Sequence, residues 1–238
     1  MSGSTVRQFR RAFTLVEVLV VVGIISVLIA ILLPTLARAR EQSKSLVCQS
    51  NMRQWSQAAL MYANENNGWL PRRGQGAQPT SQIDRPSDWF NALPPIMRTK
   101  MYVERVAEKR IPRPGDGSIW SCPSAIDGGQ KCFFSYAMNM RLSTWQAALP
   151  DRINRIGPWA TVVFLAEGAG EYCSVLPSAN PYTAVARHGN NRRANLGFLD
   201  GHVASYTGAE IGVGKGEVQR ADVRWVIKTS TWAGPGGG

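Results

Sequence analysis

The chain has 238 residues, a formal net charge of +11 and only 18% charged residues. This length allows a substantial hydrophobic core. The basic residues are scattered without a recognition-helix or base-stacking motif, and the sequence has no nucleophile elbow, Ser–His–Asp order or phosphate-binding loop, so its motifs support neither nucleic-acid binding nor a familiar enzyme class.

The first predicted element is an apolar segment near the N-terminus. Residues 13–33 contain one charged residue, Glu17. At about 1.5 Å per residue, a helix of this length spans about 30 Å, the thickness of a bilayer's hydrocarbon core. Arg7, Arg10 and Arg11 precede it without an acidic residue. The positive-inside rule then places the N-terminus in the cytoplasm, although basic residues also follow the segment.

Three interpretations of this segment are open. The first is a plain single-span anchor, and the second is a secretory signal peptide with Ala37 and Ala39 near a cleavage site. The third is a processed segment defined by the residues around Glu17. The apolar run is long for a signal peptide. A lone charge at the bilayer centre costs roughly 2.5–3.5 kcal/mol. Each interpretation must therefore explain why the segment contains Glu17.

The residues around Glu17 carry a family resemblance. The stretch RRAFTLVEVLVVVGIISVLIAILLP, residues 10–34, resembles the N-terminal signature of type IV prepilins and type II secretion pseudopilins. The resemblance implies that residues 1–12 are a leader, cut between Ala12 and Phe13 by a prepilin peptidase that also N-methylates Phe13. Ala12 stands where the family usually has Gly. Pro34 corresponds to the family's helix-kinking proline.

The resemblance implies a role in filament assembly for Glu17. Cleavage leaves a positive amine on Phe13, and a buried carboxylate is stabilised by a cation. In the family, this Glu is thought to meet the amine of a neighbouring subunit. The implied partners are prepilin peptidase, other pilin or pseudopilin subunits, an inner-membrane assembly platform and membrane lipid. The implied location is the bacterial inner membrane, with the C-terminal head (residues 68–232) periplasmic or extracellular.

The helical pattern continues beyond the apolar segment. Apolar residues recur at intervals of four, three, four and three, at Cys48, Met52, Trp55, Ala59 and Tyr62. Asn66, Asn67 and Gly68 then supply a helix stop. We predict one helix from about Phe13 to about Asn66, with residues 13–33 in the membrane and residues 34–67 as an amphipathic spine.

Residues 68–232 are predicted to form a loop-rich β head, and residues 233–238 a disordered tail. Asp200-Gly201 predicts a hairpin turn. Runs rich in β-branched and aromatic residues predict strands within 118–123, 132–139, 160–168, 194–206 and 223–229, and short helices are predicted within 87–93 and 99–110. The predicted fold class is therefore α+β and pilin-like, with the long helix packed on an antiparallel sheet.

A second resemblance covers the head. The stretches CQSNMRQWSQAALMYANENNGWLP, WSCPS, SYAMN and ARHGNNRRANLGFLDGHV are similar to a prepilin-like family of planctomycete-type bacteria. Its C-terminal block has a His, a spacer and Asp-Gly, here His188, Asp200 and Gly201. The spacer, residues 189–199, is longer than the family's usual nine residues. This resemblance implies an envelope subunit and little about a substrate.

His188, Asp200 and the nearby Glu167 are the candidate site residues of the head. They could bind a cation or form an acid–base pair. Related major pseudopilins carry calcium in the head, but calcium needs several oxygen ligands and no oxygen-rich loop stands out. The favoured interpretation is that His188 and Asp200 hold a turn by hydrogen bonds, with no cofactor and no catalytic residue. Calcium is the alternative.

The cysteines Cys48, Cys122, Cys132 and Cys173 match no CxxC-type zinc pattern. Cys122 and Cys132 flank a short Gly-containing loop that a disulfide could close, which would place the head in an oxidising compartment. Buried free thiols are the alternative.

The function predicted from these features is structural. The chain is expected to be a pseudopilin or pilin-like subunit of a type II secretion or type IV pilus-like filament, and not an enzyme. The alternative is a minor pilin whose basic head binds DNA or acidic polysaccharide.

Overall fold

The computed structural model describes residues 14–74, 83–126, 133–143, 151–170, 172–177, 184–213, 218 and 220–225. By its internal contacts the chain divides into two units, residues 1–40 and residues 41–238.

Helix α1 runs from Leu15–Glu65, close to the predicted bounds. Pro34 lies inside it. A proline removes one backbone donor from the helix interior, yet the helix continues on both sides. The predicted kink at Pro34 stays a prediction.

In the first unit, α1 exposes its apolar side chains. Large apolar residues between Leu15 and Leu33 are 48–79% exposed. Among the described helices, α1 is long and apolar enough to cross a membrane. So large an apolar surface is unfavourable in water, which fits a single membrane span over this half of the helix.

The second unit is built around a mixed sheet. In the described part of the chain, five strands form one sheet in the order β3-β1-β2-β4-β5. The strands are β1 (Phe134–Asn139), β2 (Val163–Gly170), β3 (Ser174–Val175), β4 (Arg193–Phe198) and β5 (Val203–Thr207). All neighbours are antiparallel except β1 and β3, which are parallel. The predicted α+β layout, with a long helix and a sheet, is confirmed, but the sheet is mixed rather than antiparallel because β3 runs parallel to β1. A two-residue strand is too short to show a pattern in the sequence.

The hairpin between β4 and β5 confirms the turn predicted at Asp200-Gly201. The strands pair from Arg193 opposite Thr207 to Gly197 opposite Val203. Gly201 has a φ of 92°, a conformation that side-chain-bearing residues rarely adopt.

The remaining helices are short. They are α2 (Trp89–Ala92), α3 (Tyr102–Ala107) and α4 (Gly208–Ile211), with 3-10 helices at Met140–Leu142, Ile153–Arg155 and Trp159–Thr161. Helices α2 and α3 lie within the two predicted helical segments. The C-terminal run shows one isolated bridge, Val162 to Arg224, and residues 226–229 of the predicted strand lie outside the described residues.

Residues 118–123 form turns rather than the predicted strand. Ser121 N donates to Ser118 O at 3.1 Å, and Ala125 N donates to Cys122 O at 2.9 Å. Trp120 and Cys122 are nevertheless buried. The apolar residues of this segment are there because the segment is buried beneath α1. Burial alone does not distinguish a strand from a packed loop.

The second half of α1 packs on the head through the predicted apolar stripe. Cys48, Met52, Trp55 and Ala59 are buried in the main core, and Tyr62 packs against it. The Trp55 ring lies 5.2 Å from that of Trp89 and 4.7 Å from that of Trp120, in edge-to-face arrangements.

Strand β4 passes very close to α1 at Gly197. A Cβ added there would lie 2.6 Å from Ser56 Oγ and 3.6 Å from the Met52 carbonyl oxygen. Ser56 Oγ is buried and makes no hydrogen bond within the described residues. Glycine therefore sets how closely the helix approaches the sheet.

We expect Gly197→Ala to lower the free energy of unfolding by about 1–3 kcal/mol, because the new methyl overpacks this contact. Thermal unfolding of the full chain in detergent measures the loss. Ser56→Ala removes the clashing oxygen, so the double variant should recover most of it. A double variant as unstable as Gly197→Ala alone would contradict the assigned contact.

Candidate functional site

The first candidate site is the start of α1, where Thr14 and Glu17 form a capping box. The Thr14 backbone N and hydroxyl donate to Glu17 Oε2 at 2.9 and 2.8 Å, and Glu17 N donates to Thr14 Oγ1 at 3.3 Å. This reciprocal pattern satisfies backbone donors that a helix start leaves unpaired. The signal was present in the sequence as T-L-V-E but was not used in the prediction.

The cap lies downstream of the predicted cut and does not depend on the leader. The cut site, Ala12 and Phe13, lies outside the described residues. Both capping bonds use Glu17 Oε2. The cap therefore orients the carboxylate at the helix start, where the helix dipole also favours a negative charge.

The second candidate site is a buried cluster in the head. Four side chains from separate segments converge: Cys48 on α1, Cys122 in a loop, Glu167 on β2 and His188 just before β4. Their ligand atoms, two Sγ, a carboxylate oxygen and an imidazole nitrogen, all lie within 4.8 Å of one another. The exposed fractions are 0% for the first three residues and 2% for His188. We call these residues the Cys–Cys–Glu–His cluster.

One carboxylate oxygen is the centre of the cluster. Glu167 Oε1 lies 2.8 Å from Cys48 Sγ, 2.8 Å from His188 Nε2 and 3.6 Å from Cys122 Sγ. Cys122 Sγ in turn lies 3.5 Å from His188 Nε2. The other carboxylate oxygen, Oε2, accepts a hydrogen bond from Asn195 N at 3.1 Å. The backbone of β4 thus holds the carboxylate in place.

A second carboxylate supports the imidazole from outside. His188 Nδ1 lies 3.3 Å from Glu41 Oε1, and the Glu41 side chain is 35% exposed. Ser124 Oγ also donates to this oxygen, at 3.3 Å. Glu41 thus offers an acceptor for the proton on His188 Nδ1.

Local structure explains how each residue reaches the cluster. Cys48 belongs to the apolar stripe of α1, and Glu167 lies on β2, where six successive residues are buried. Cys122 N donates to Ser135 Oγ at 2.9 Å, which attaches the loop to β1. His188 pairs with Arg193 across a tight turn, with N–O distances of 3.0 and 2.9 Å.

The groups of the cluster shift one another's pKa values. Burial raises the pKa of the Cys48 thiol, and Cys122 and Glu167 add to the effect. The hydrogen bond from Cys48 lowers the pKa of Cys122 despite burial, and His188 contributes. Burial alone would lower the pKa of His188, but Cys122 and Glu167 outweigh it and raise that pKa to about 10.

The structure brings together two of the three candidate cation ligands. Glu167 and His188 are in direct contact, whereas Asp200 is engaged in the β4–β5 turn. Asp200 Oδ1 accepts from His202 N at 3.1 Å and lies 2.6 Å from His202 Nδ1. Asp200 thus bonds His202 within its own turn, whereas the favoured interpretation had His188 and Asp200 holding a turn together.

The sequence analysis missed the two cysteines of the cluster. Cys48 and Glu167 are separated by 119 positions, and Cys122 and Glu167 by 45. Zinc motifs are recognised by short local spacings, which are absent here. A cysteine on the buried stripe of α1 was the available signal, and it indicated core packing equally well.

Cys122 is a buried free thiol in the structure, which is the alternative to the possible disulfide with Cys132. Its Sγ faces Glu167 and His188 instead. Cys132 lies outside the described residues.

The order Cys122–His188–Glu41 also resembles a thiol–imidazole–carboxylate catalytic arrangement. A nucleophilic cysteine must reach its substrate, and Cys122 is fully buried. The Glu167 carboxylate beside its sulfur would also repel developing negative charge. The geometry therefore favours holding a cation over attacking a substrate.

We expect His188→Gln to lower the free energy of unfolding by roughly 3 kcal/mol, because it leaves Glu167 buried without its cationic partner. His202→Gln is the matched control: that imidazole also touches a carboxylate but is 41% exposed. Its loss should cost less than about 1 kcal/mol. Chemical denaturation of both variants measures the difference, and equal losses would contradict the importance of the buried pair.

Comparison with known proteins identifies the N-terminal segment. Residues 7–33 match the family model described as the prokaryotic N-terminal methylation motif. No curated protein and no solved structure matches the chain significantly. The resemblance of the block His188, Asp200 and Gly201 therefore stays a prediction.

Proposed function

We propose that this chain, whose N-terminal motif is that of a type IV prepilin-like protein, is a structural subunit of a type II secretion or type IV pilus-like filament. The observation that carries the proposal is the methylation-motif match over residues 7–33. The layout supports it: the matched segment leads into helix α1, and the second half of α1 packs on an α+β head. Prepilin-like proteins are a structural class, so we assign no catalytic residue.

Maturation is the first step of the proposed function. A prepilin peptidase would cut between Ala12 and Phe13 and methylate the new amine. The new N-terminus would then directly precede the Thr14–Glu17 cap, so the first turn of the mature helix is already ordered. The mature chain would span the inner membrane once, with its head periplasmic or extracellular.

Glu17 would serve assembly. Within the described residues, both hydrogen bonds that the Glu17 carboxylate accepts use Oε2, which would leave Oε1 for the Phe13 amine of a neighbouring subunit. In an apolar surrounding, a carboxylate without a cation costs roughly 2.5–3.5 kcal/mol. The pair therefore favours the one register in which amine and carboxylate meet.

N-terminal sequencing and mass analysis of the protein from native membranes test the maturation step. We expect N-methylated Phe13. A chain that begins at Met1 would indicate a plain anchor, and one that begins near Arg40 a secretory signal peptide. Because Ala12 replaces the usual Gly, Ala12→Gly should raise the processed fraction.

Two substitutions separate the charge of Glu17 from its capping role. Glu17→Gln keeps an acceptor for the cap but removes the charge, so it should be processed normally and fail to enter sheared filaments. Thr14→Ala removes the cap hydroxyl and keeps the charge, so it should lose about 1 kcal/mol of helix stability and still assemble. Wild-type assembly of Glu17→Gln would contradict the pairing.

The alternative of a head that binds DNA or acidic polysaccharide rests on net charge alone. It predicts retention on a DNA column that weakens steeply with salt. No retention at low salt would exclude the DNA form of this alternative.

A further inference from the structure

We propose that the Cys–Cys–Glu–His cluster binds one Zn²⁺, and that the ion crosslinks helix α1 to the sheet of the head. This goes beyond a role as a filament subunit and does not depend on it. The ligands would be Cys48 Sγ, Cys122 Sγ, one oxygen of Glu167 and His188 Nε2.

The spacing of these atoms suits a tetrahedral ion. Zinc–ligand distances of about 2.0–2.3 Å place neighbouring ligand atoms about 3.3–3.8 Å apart. Cys122 Sγ already lies 3.5 Å from His188 Nε2 and 3.6 Å from Glu167 Oε1. The two 2.8 Å contacts of Glu167 Oε1, with Cys48 and His188, are hydrogen bonds that would open by about half an ångström as the metal replaces the shared protons.

The donor set selects the metal. Thiolate sulfur, imidazole nitrogen and carboxylate oxygen are each ligand types that Zn²⁺ takes in proteins, and two thiolates favour it over metals that prefer oxygen. Calcium takes six to eight oxygens, and this cluster offers the two oxygens of one carboxylate, one of which already accepts from Asn195 N. Zinc rather than calcium is therefore the cation that the head would hold.

The charges of the ligand side chains also favour a divalent cation. The Glu167 carboxylate is 0% exposed, beside two buried sulfur atoms. With both thiols ionised, these groups carry three negative charges, which a divalent cation offsets more fully than a single imidazolium does. Burial of an anion is tolerable when it is paired or coordinates a metal.

The contacts that hold the ligand side chains from outside the cluster are also typical of a metal centre. The second nitrogen of a metal-bound histidine commonly donates to a carboxylate, which fixes the ring and its tautomer. His188 Nδ1 has this partner in Glu41 Oε1, at 3.3 Å. The non-ligating Glu167 oxygen is held by the β4 backbone through Asn195. Both flexible ligands are thus oriented before a metal arrives.

The site would be structural rather than catalytic. Four protein ligands complete a tetrahedron and leave no open position for water or substrate, and all four residues are buried. The ion would join segments that are far apart in the chain: Cys48 and Glu167 are separated by 119 positions. Such a crosslink would hold the second half of α1 on the sheet of the head.

The direct test uses the full-length chain, purified in detergent without a polyhistidine tag and under reducing conditions. We expect one zinc per chain by elemental analysis and a higher melting temperature than that of the chelator-treated protein. Co²⁺ added to the chelated protein should produce the intense visible bands of tetrahedral cobalt and thiolate-to-cobalt charge transfer. Less than a tenth of an equivalent of zinc and no cobalt spectrum would overturn the proposal.

Variants locate the ion. Cys122→Ser should abolish the thiolate–cobalt band or weaken it strongly, whereas Cys173→Ser, which also alters a buried cysteine of the head, should leave it unchanged. A full spectrum in Cys122→Ser would overturn the assignment. If Cys122→Ser does not fold, the cobalt titration of the wild-type chain still decides between the outcomes.

Glu41→Gln tests the contact between Glu41 and His188. The readout is the affinity for zinc, which a general loss of stability would not change. The variant should retain one zinc per chain and the tetrahedral cobalt spectrum but bind about 10-fold or more weakly, because the His188 ring loses its carboxylate partner. Unchanged affinity would remove Glu41 from the site.

A disulfide between Cys48 and Cys122 is the competing state of the same two sulfur atoms. Non-reducing peptide mapping of the protein from native membranes distinguishes the two. Both thiols reduced, with stoichiometric zinc, supports the metal; a Cys48–Cys122 disulfide in most of the native protein overturns it.

Discussion

The close packing of the second half of α1 against the sheet is the constraint on which the rest of the head depends. Gly197 lets β4 approach the helix beside Ser56, and the Trp55 ring packs edge-to-face against Trp89 of α2 and Trp120 of the 118–123 loop. Only with the helix at this distance does Cys48 Sγ come within 2.8 Å of Glu167 Oε1 on β2. The buried cluster is thus a consequence of helix–sheet packing.

The two halves of α1 share a helical backbone but differ in how their apolar residues are distributed. The first half is apolar all round, so its side chains need a hydrophobic phase. The second half has one buried stripe, and that stripe includes a thiol, that of Cys48. Each half also contains one residue that departs from its pattern: Glu17 in the apolar half and Cys48 in the buried stripe.

Glu17 and Glu167 illustrate how surroundings assign different roles to the same side chain. Glu17 is exposed, and its cap holds the carboxylate through neighbours three residues away. It can therefore meet a group from another molecule. Glu167 is fully buried, and its partners come from α1, a loop and β4, so its role is confined to the interior of one head. One carboxylate is thus exposed beside its own helix start, and the other is enclosed by three segments of the head.

The sequence by itself determined the elements whose signals are local. The prepilin-like motif, the bounds of α1, the apolar stripe and the Asp200-Gly201 turn all follow from periodicity, charge order or turn chemistry within a short window. Only the tertiary structure decided that residues 118–123 are a packed loop, that β3 runs parallel to β1, and that Asp200 bonds His202. It alone brought Cys48 and Cys122 to Glu167 and His188. The physical reason is that side chains far apart in the chain become ligands of one site only through packing, and packing distances leave no spacing pattern in the sequence.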